Sequence, residues 1–145
     1  MVDVTVSDFV RADPEKVFAF LSDLANWPRW QSDMKSVTLV DGQAGQVGAR
    51  YRYVSKAMGQ TLDSTVRLVR VDPPREVAFE GDWAGMVKPD GRYVVEPANG
   101  GTRVTLNPHP QARGLGKLMA PVMTLLIRRL NRQHLADLRR ALEKP

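Results

Sequence analysis

The chain has 145 residues, 43% of them hydrophobic and 26% charged, with no cysteine and a formal net charge of +5. That length suits one domain, residues 1–145, with a substantial core, and the lack of cysteine excludes disulfides, thiolate catalysis and Cys-ligated zinc. No uncharged apolar run approaches the ~20 residues needed to span a bilayer. The opening residues MVDVTVSDFVRADP lack a basic-then-apolar export signal, so a cytoplasmic protein is expected.

Val2 to Val10 alternates Val2, Val4 and Val6 against Asp3, Thr5 and Ser7, the period of a half-buried strand. Asp13-Pro14-Glu15 then supplies a helix cap, a proline at the first helical position and an acid in the first turn. Val17, Phe18 and Leu21 form the apolar stripe of a short helix, and Asn26-Trp27-Pro28 reads as a second cap opening a brief helical turn through Trp30.

Strand patterns follow at Val37–Val40, Ala49–Ser55, Gln60–Val71, Glu76–Trp83, Arg92–Glu96 and Thr102–Asn107, separated by short turn signals. Asn99-Gly100-Gly101 marks a hairpin. Consecutive strands with short loops predict an antiparallel sheet. From Pro121 onward Val122, Met123, Leu126, Ile127, Leu130, Leu138, Ala141 and Leu142 recur at spacings of three and four, the stripe of an amphipathic helix. Arg128, Arg132 and Arg139 fall on its other face.

The excess positive charge lies in this last segment. Eight Lys or Arg from Arg113 onward meet only Asp137 and Glu143, whereas residues 1–112 carry 13 basic and 14 acidic groups. Such a segment suits an anionic membrane surface or a solvated helix face. The basic residues lack interleaved aromatics, so nucleic acid is not expected.

The segments ADPEKVFAFLSDLANWPRW, VDPPREVAFEG, GRYVVEP, GGTRVTL and the Gly114–Leu142 helix with its internal proline together resemble the START-like, Bet v 1-like (SRPBCC) superfamily. Within it, the resemblance is to the polyketide cyclase/dehydrase and lipid-transport proteins. The resemblance implies an α+β helix-grip fold of order β-α-α-β6-α, a curved antiparallel sheet wrapped around a long C-terminal helix. It also implies a cavity that holds a hydrophobic small molecule.

The residues suited to lining such a cavity are Trp27, Trp30, Tyr51, Tyr53, Phe79, Trp83, Tyr93, Met119, Met123, Leu126, Leu130 and His134. Aromatics give apolar area with polar handles, and methionine adapts to irregular ligands. His134, Arg92 and Arg67 are the groups that would do chemistry if they point inward. His109, in a Pro-flanked loop, reads as surface structure. No metal-ligand spacing, nucleophile elbow or phosphate loop is present, and neither metal nor cofactor is expected. Gly42, Gly45 and Gly48 read as a turn.

Three readings follow. The chain binds a lipid or polyketide-like molecule without evident catalysis, as a monomer or weak dimer. Alternatively it is an aromatase/cyclase in which His134, a tyrosine or an arginine assists enolisation and water loss. Alternatively it is a regulatory, toxin–antitoxin-like interaction protein that uses the basic helix face on a membrane or partner.

Overall fold

The structure is a computed structural model that describes residues 5–57, 59–84, 87–108, 111–112 and 120–143. In chain order it runs β1 (Val6–Val10), α1 (Pro14–Ser22), a 3-10 helix (Leu24–Arg29), β2 (Met34–Asp41), β3 (Arg50–Ala57), β4 (Gln60–Asp72) and β5 (Glu76–Gly81). It continues through β6 (Val87–Lys88), β7 (Gly91–Ala98), β8 (Gly101–Pro108) and β9 (Gln111–Ala112) to the terminal helix α2 (Ala120–Glu143).

Seven strands form one antiparallel sheet in the order β1-β8-β7-β5-β4-β3-β2, and β6 pairs with β9 in a small separate ribbon. The first two strands thus occupy opposite edges. The chain crosses between them through α1 and the 3-10 helix, and then meanders back until β8 pairs with β1. This topology sets the two short helices against the sheet as a support.

Strand alternation decides the core. Tyr51 and Tyr53 of β3, Val66 and Leu68 of β4, Val77 and Phe79 of β5, Tyr93 and Val95 of β7, and Val104 and Leu106 of β8 all turn inward and are buried. From the other side, Val17, Phe18 and Leu21 of α1 join Leu24, Trp27 and Trp30. Burying a large side chain of this kind contributes roughly 1.5–3 kcal/mol.

Several local expectations are corrected. Asp13 stands at the N-cap of α1 without a side-chain cap bond; the turn is secured by its carbonyl, which accepts from Val17 N–H at 3.0 Å, and by Pro14. The 3-10 helix is capped by Asp23, not Asn26: Asp23 Oδ1 accepts from Ala25 N–H at 3.1 Å, and Asn26 Nδ2 donates to the Phe20 carbonyl. Strand β5 ends at Gly81, so Trp83 lies beyond it and is 37% exposed.

The glycine loop between β2 and β3 is a turn, with left-handed backbone at Gly42, Gly45 and Gly48. Gly45 N–H donates to Tyr51 Oη at 3.1 Å, and that hydroxyl donates to Asp23 Oδ1 at 3.1 Å. One tyrosine therefore ties the loop to the helical support.

Helix α2 packs on β1 and on the 3-10 helix. Its buried side carries Asn131, His134, Leu135, Leu138 and Leu142, and its last turn is pinned where Glu143 Oε2 accepts from Arg11 N–H and Arg139 Nη1 donates to Asp8 Oδ2. In the first half the pattern differs from expectation. Leu126 and Leu130, read from the sequence as cavity-facing, are 50% and 38% exposed beside Val122 and Leu125. At about 100° per residue, the row Val122–Leu126–Leu130 leans away from the face centred on Asn131, Leu135 and Leu138. Two apolar stripes share one helix.

Candidate functional site

The aromatic residues that share the inward face meet in a continuous ladder between sheet and helices. Trp27 stands edge-on to Tyr53 and Phe79, with centroids 6.4 and 5.3 Å apart. Phe79 lies 5.2 Å from Tyr93, Tyr93 lies 5.5 Å from Trp30, and Trp30 lies 6.0 Å from the His134 ring of α2. Edge-to-face contacts of this kind are the favoured geometry of aromatic pairs. The ladder needs Gly91 at the start of β7, because a Cβ there would come within 2.9 Å of Phe79 Cζ.

The backbone explains why both tryptophans face inward. Trp30 N–H and Gln31 N–H both donate to the Trp27 carbonyl, at 3.1 and 2.7 Å, which closes the Trp-Pro-x-Trp corner. Gln31 and Asp33 follow at once, before β2, and the Asp33 carbonyl accepts from Lys56 N–H at 2.8 Å. The corner thus delivers one indole beside Tyr53 and Phe79, and a second indole, an amide and a carboxylate to the Tyr93 and His134 end of the ladder.

Polar groups are embedded in this apolar surface. The Asp33 carboxylate accepts from His134 Nε2–H at 3.1 Å, with the histidine side chain 5% exposed. Gln31 Nε2 donates to Tyr93 Oη at 3.3 Å. Burial is the largest cause that raises the Tyr93 pKa well above its ordinary value, and the Asp33 charge adds to it. Gln31 acts in the opposite sense, as does the Trp27 indole, which faces that hydroxyl without completing a hydrogen bond. Burial likewise raises Tyr53, aided by the more distant Asp82, and raises Tyr51, with Asp23 adding. All three tyrosines are held in the neutral, hydrogen-bonding form.

Three donors in the same region have no partner among the described residues: Trp27 Nε1, Trp30 Nε1 and Asn131 Nδ2. All three residues are at least nine-tenths buried. An unmet buried donor costs about 1–3 kcal/mol, and buried donors are as a rule satisfied.

The sequence-derived residues therefore divide. Trp27, Trp30, Tyr53, Phe79, Tyr93 and His134 converge, while Tyr51 is buried at one end and engaged with the glycine loop. Trp83, Leu126 and Leu130 are exposed. Met119 and the side chain of Met123 lie outside the described residues. Arg67 points outward, with Nη2 3.2 Å from Glu80 Oε2. Arg92 sits on the exposed parity of β7, opposite Asn107 of β8, whose amide oxygen, oriented to satisfy its neighbours, accepts from Arg92 Nε at 3.1 Å. Neither arginine supplies an inward charge. His109 lies outside the described residues. Gln31, Asp33 and Asn131 were missed; Asn131, three residues before His134 on one helix face, was the legible signal.

Among the described residues no cluster of His, Cys, Asp or Glu is built to hold a metal ion, and no helix is long and apolar enough to cross a membrane.

A curved seven-stranded antiparallel sheet gripping a long C-terminal helix, with an aromatic interior, is the helix-grip architecture of START-like, Bet v 1-like proteins. The structure of an aromatase/cyclase from Streptomyces sp. R1128 superposes with a TM-score of 0.81 at 16% identity, over 98% of this chain and 93% of that one. Protein TTHA0849 of Thermus thermophilus gives 0.81 at 21% identity, over 97% of each chain. At the level of sequence, an uncharacterized protein of Mycobacterium tuberculosis H37Rv is 30% identical over 113 residues, covering 73% of this chain and 74% of its own. Residues 1–143 match the polyketide cyclase / dehydrase and lipid transport family, and the chain belongs to it.

Proposed function

We propose that the protein binds a hydrophobic or amphipathic small molecule, a lipid or polyketide-like compound, among the aromatic residues between the sheet and α2, without evident catalysis. The observation that carries this reading is the set of unmet donors on Trp27, Trp30 and Asn131 within an otherwise apolar interior. A ligand with a carbonyl, hydroxyl or carboxylate oxygen satisfies those donors while its hydrocarbon part lies against Phe79 and the indoles. Apolar surface with a few convergent polar groups is the usual composition of a small-molecule site. The family's hydrophobic chemistry agrees with it.

Protein purified without detergent, examined by native mass spectrometry and solvent extraction, is expected to carry an oxygen-bearing apolar molecule or to take up added palmitate. Failure to bind palmitate, anilinonaphthalene sulfonate or any member of a broad apolar panel contradicts the reading.

A second reading rests on the His134–Asp33 pair. A carboxylate that accepts from Nε2–H orients the imidazole and leaves Nδ1 of the neutral ring as a base. In an aromatase/cyclase that nitrogen takes a proton from carbon next to a carbonyl, and the indole N–H groups stabilise the resulting enolate oxygen. His134→Ala and Asp33→Asn would then abolish turnover of a cyclisable polyketone while leaving its binding measurable. Turnover unchanged in both variants removes this reading.

A further inference from the structure

The outward face at the start of α2 gathers four of the nine exposed large hydrophobic residues found among the described residues. Val122, Leu125 and Leu126 are 55%, 67% and 50% exposed, and Leu130 lies one turn further on. Spacings of three and four place all four on one side of the helix, opposite the side that buries Asn131, Leu135 and Leu138. An apolar patch of this kind, at the surface of a charged protein, marks a contact site.

Its charge surroundings say with what. Arg129 lies among these leucines, and Arg132 borders them; both are exposed, and neither forms an ion pair among the described residues. Between Arg113 and Ala136 the sequence contains five Lys or Arg and no Asp or Glu. By contrast, Arg139 in the second half is engaged by Asp8 and Glu143, and the outward positions there are Gln133, Asp137 and Arg140. The apolar, cationic character is confined to the first half of the helix.

We infer that this half-helix, Ala120–Arg132, lies on an anionic lipid surface, with Val122, Leu125, Leu126 and Leu130 in the acyl boundary and the arginines at phosphate level. An amphipathic helix with aliphatic residues on one face and arginines beside them is the form that lies in a membrane interface. The long arginine stems reach the headgroups from within the apolar stripe. The helix is not long and apolar enough to cross the bilayer, so it lies on the surface. A second copy of this chain fits the patch poorly, because pairing it with itself brings Arg129 and Arg132 against like charges. A protein partner is disfavoured because the patch has no aromatic anchor of the kind that dominates such interfaces. The inference stands independently of any ligand in the interior.

Flotation of the intact protein with vesicles of phosphatidylglycerol and phosphatidylcholine in equal parts tests it, with pure phosphatidylcholine vesicles as reference. Binding is expected only to the anionic vesicles and is expected to weaken as salt rises. Leu125→Asp/Leu126→Asp, both exposed, is expected to lower partitioning about tenfold or more with an unchanged circular dichroism spectrum. Arg129→Gln and Arg132→Gln are each expected to lower it about fivefold. Three results overturn the inference: no flotation with anionic vesicles at low salt, unchanged flotation of the aspartate variant, or a stable dimer that this variant dissociates.

Discussion

At the scale of single residues, the interior is defined by what its polar atoms lack as much as by what they touch. The Trp30 indole N–H is buried without a partner among the described residues, so a substitution that removes it need not destabilise the protein. Trp30→Phe trades lost contact area against the removal of a cost of about 1–3 kcal/mol. The expectation is a change in unfolding free energy smaller than the roughly 3–5 kcal/mol typical of a large core truncation, together with weaker binding of an oxygen-bearing ligand; urea unfolding and a palmitate titration check both.

Tyr93 differs, because its hydroxyl is the acceptor for Gln31. Its folded pKa lies above the ordinary 10.0, mainly through burial, so the unfolded chain loses its proton first as pH rises. Stability from this group is complete below pH 10 and declines above it. Tyr53 and Tyr51, also raised, act in the same sense. The unfolding free energy is expected to fall above about pH 10, by up to about 1.4 kcal/mol per pH unit per group, taking the thermal midpoint down with it, and less steeply in Tyr93→Phe. A midpoint that holds steady to pH 11 contradicts this assignment.

At the scale of elements, legibility tracked how far the local pattern constrains three-dimensional contacts. The strands and α1 were readable because alternation and a Pro-led helix start are local signals, and the residues facing inward on β3, β5 and β7 followed from parity. The end of β5 was not readable: Trp83 keeps the parity of Phe79, but the chain leaves the sheet after Gly81, anchored there by the buried Asp90, whose Oδ1 accepts from Gly81 N–H. Helix α2 misled for a related reason. Leu126 and Leu130 have the same spacings as Leu138 and Leu142, and periodicity alone does not say which stripe meets the sheet. Asp33 was hidden because its role depends on α2 arriving a hundred residues later in sequence, and Gln31 because its partner Tyr93 belongs to β7. The two halves of α2 should therefore respond differently. Leu138→Ala is expected to cost about 2–5 kcal/mol, whereas Leu125→Ala should fall within about 0.5 kcal/mol of the parent; chemical denaturation of both variants is the check.

At the scale of the whole molecule, the fold serves to bring three distant segments to one place. The Trp-Pro-x-Trp corner, the middle strands and the second half of α2 meet only because β1 and β2 occupy opposite edges of the sheet and the short helices bridge them. The resulting interior is aromatic, electrically neutral at its tyrosines and furnished with buried donors that lack a partner among the described residues. The exterior of the same helix is cationic and apolar in its first half.

The central claim is that those donors await a ligand oxygen, and the chain's three tryptophans allow a direct reading. In a nitrogen–proton correlation spectrum each indole gives one signal. Addition of palmitate is expected to shift the Trp27 and Trp30 signals downfield, as their N–H groups gain an acceptor, while the signal of the half-exposed Trp83 stays in place. Saturating palmitate that leaves Trp27 and Trp30 unmoved, or that moves only Trp83, contradicts the account.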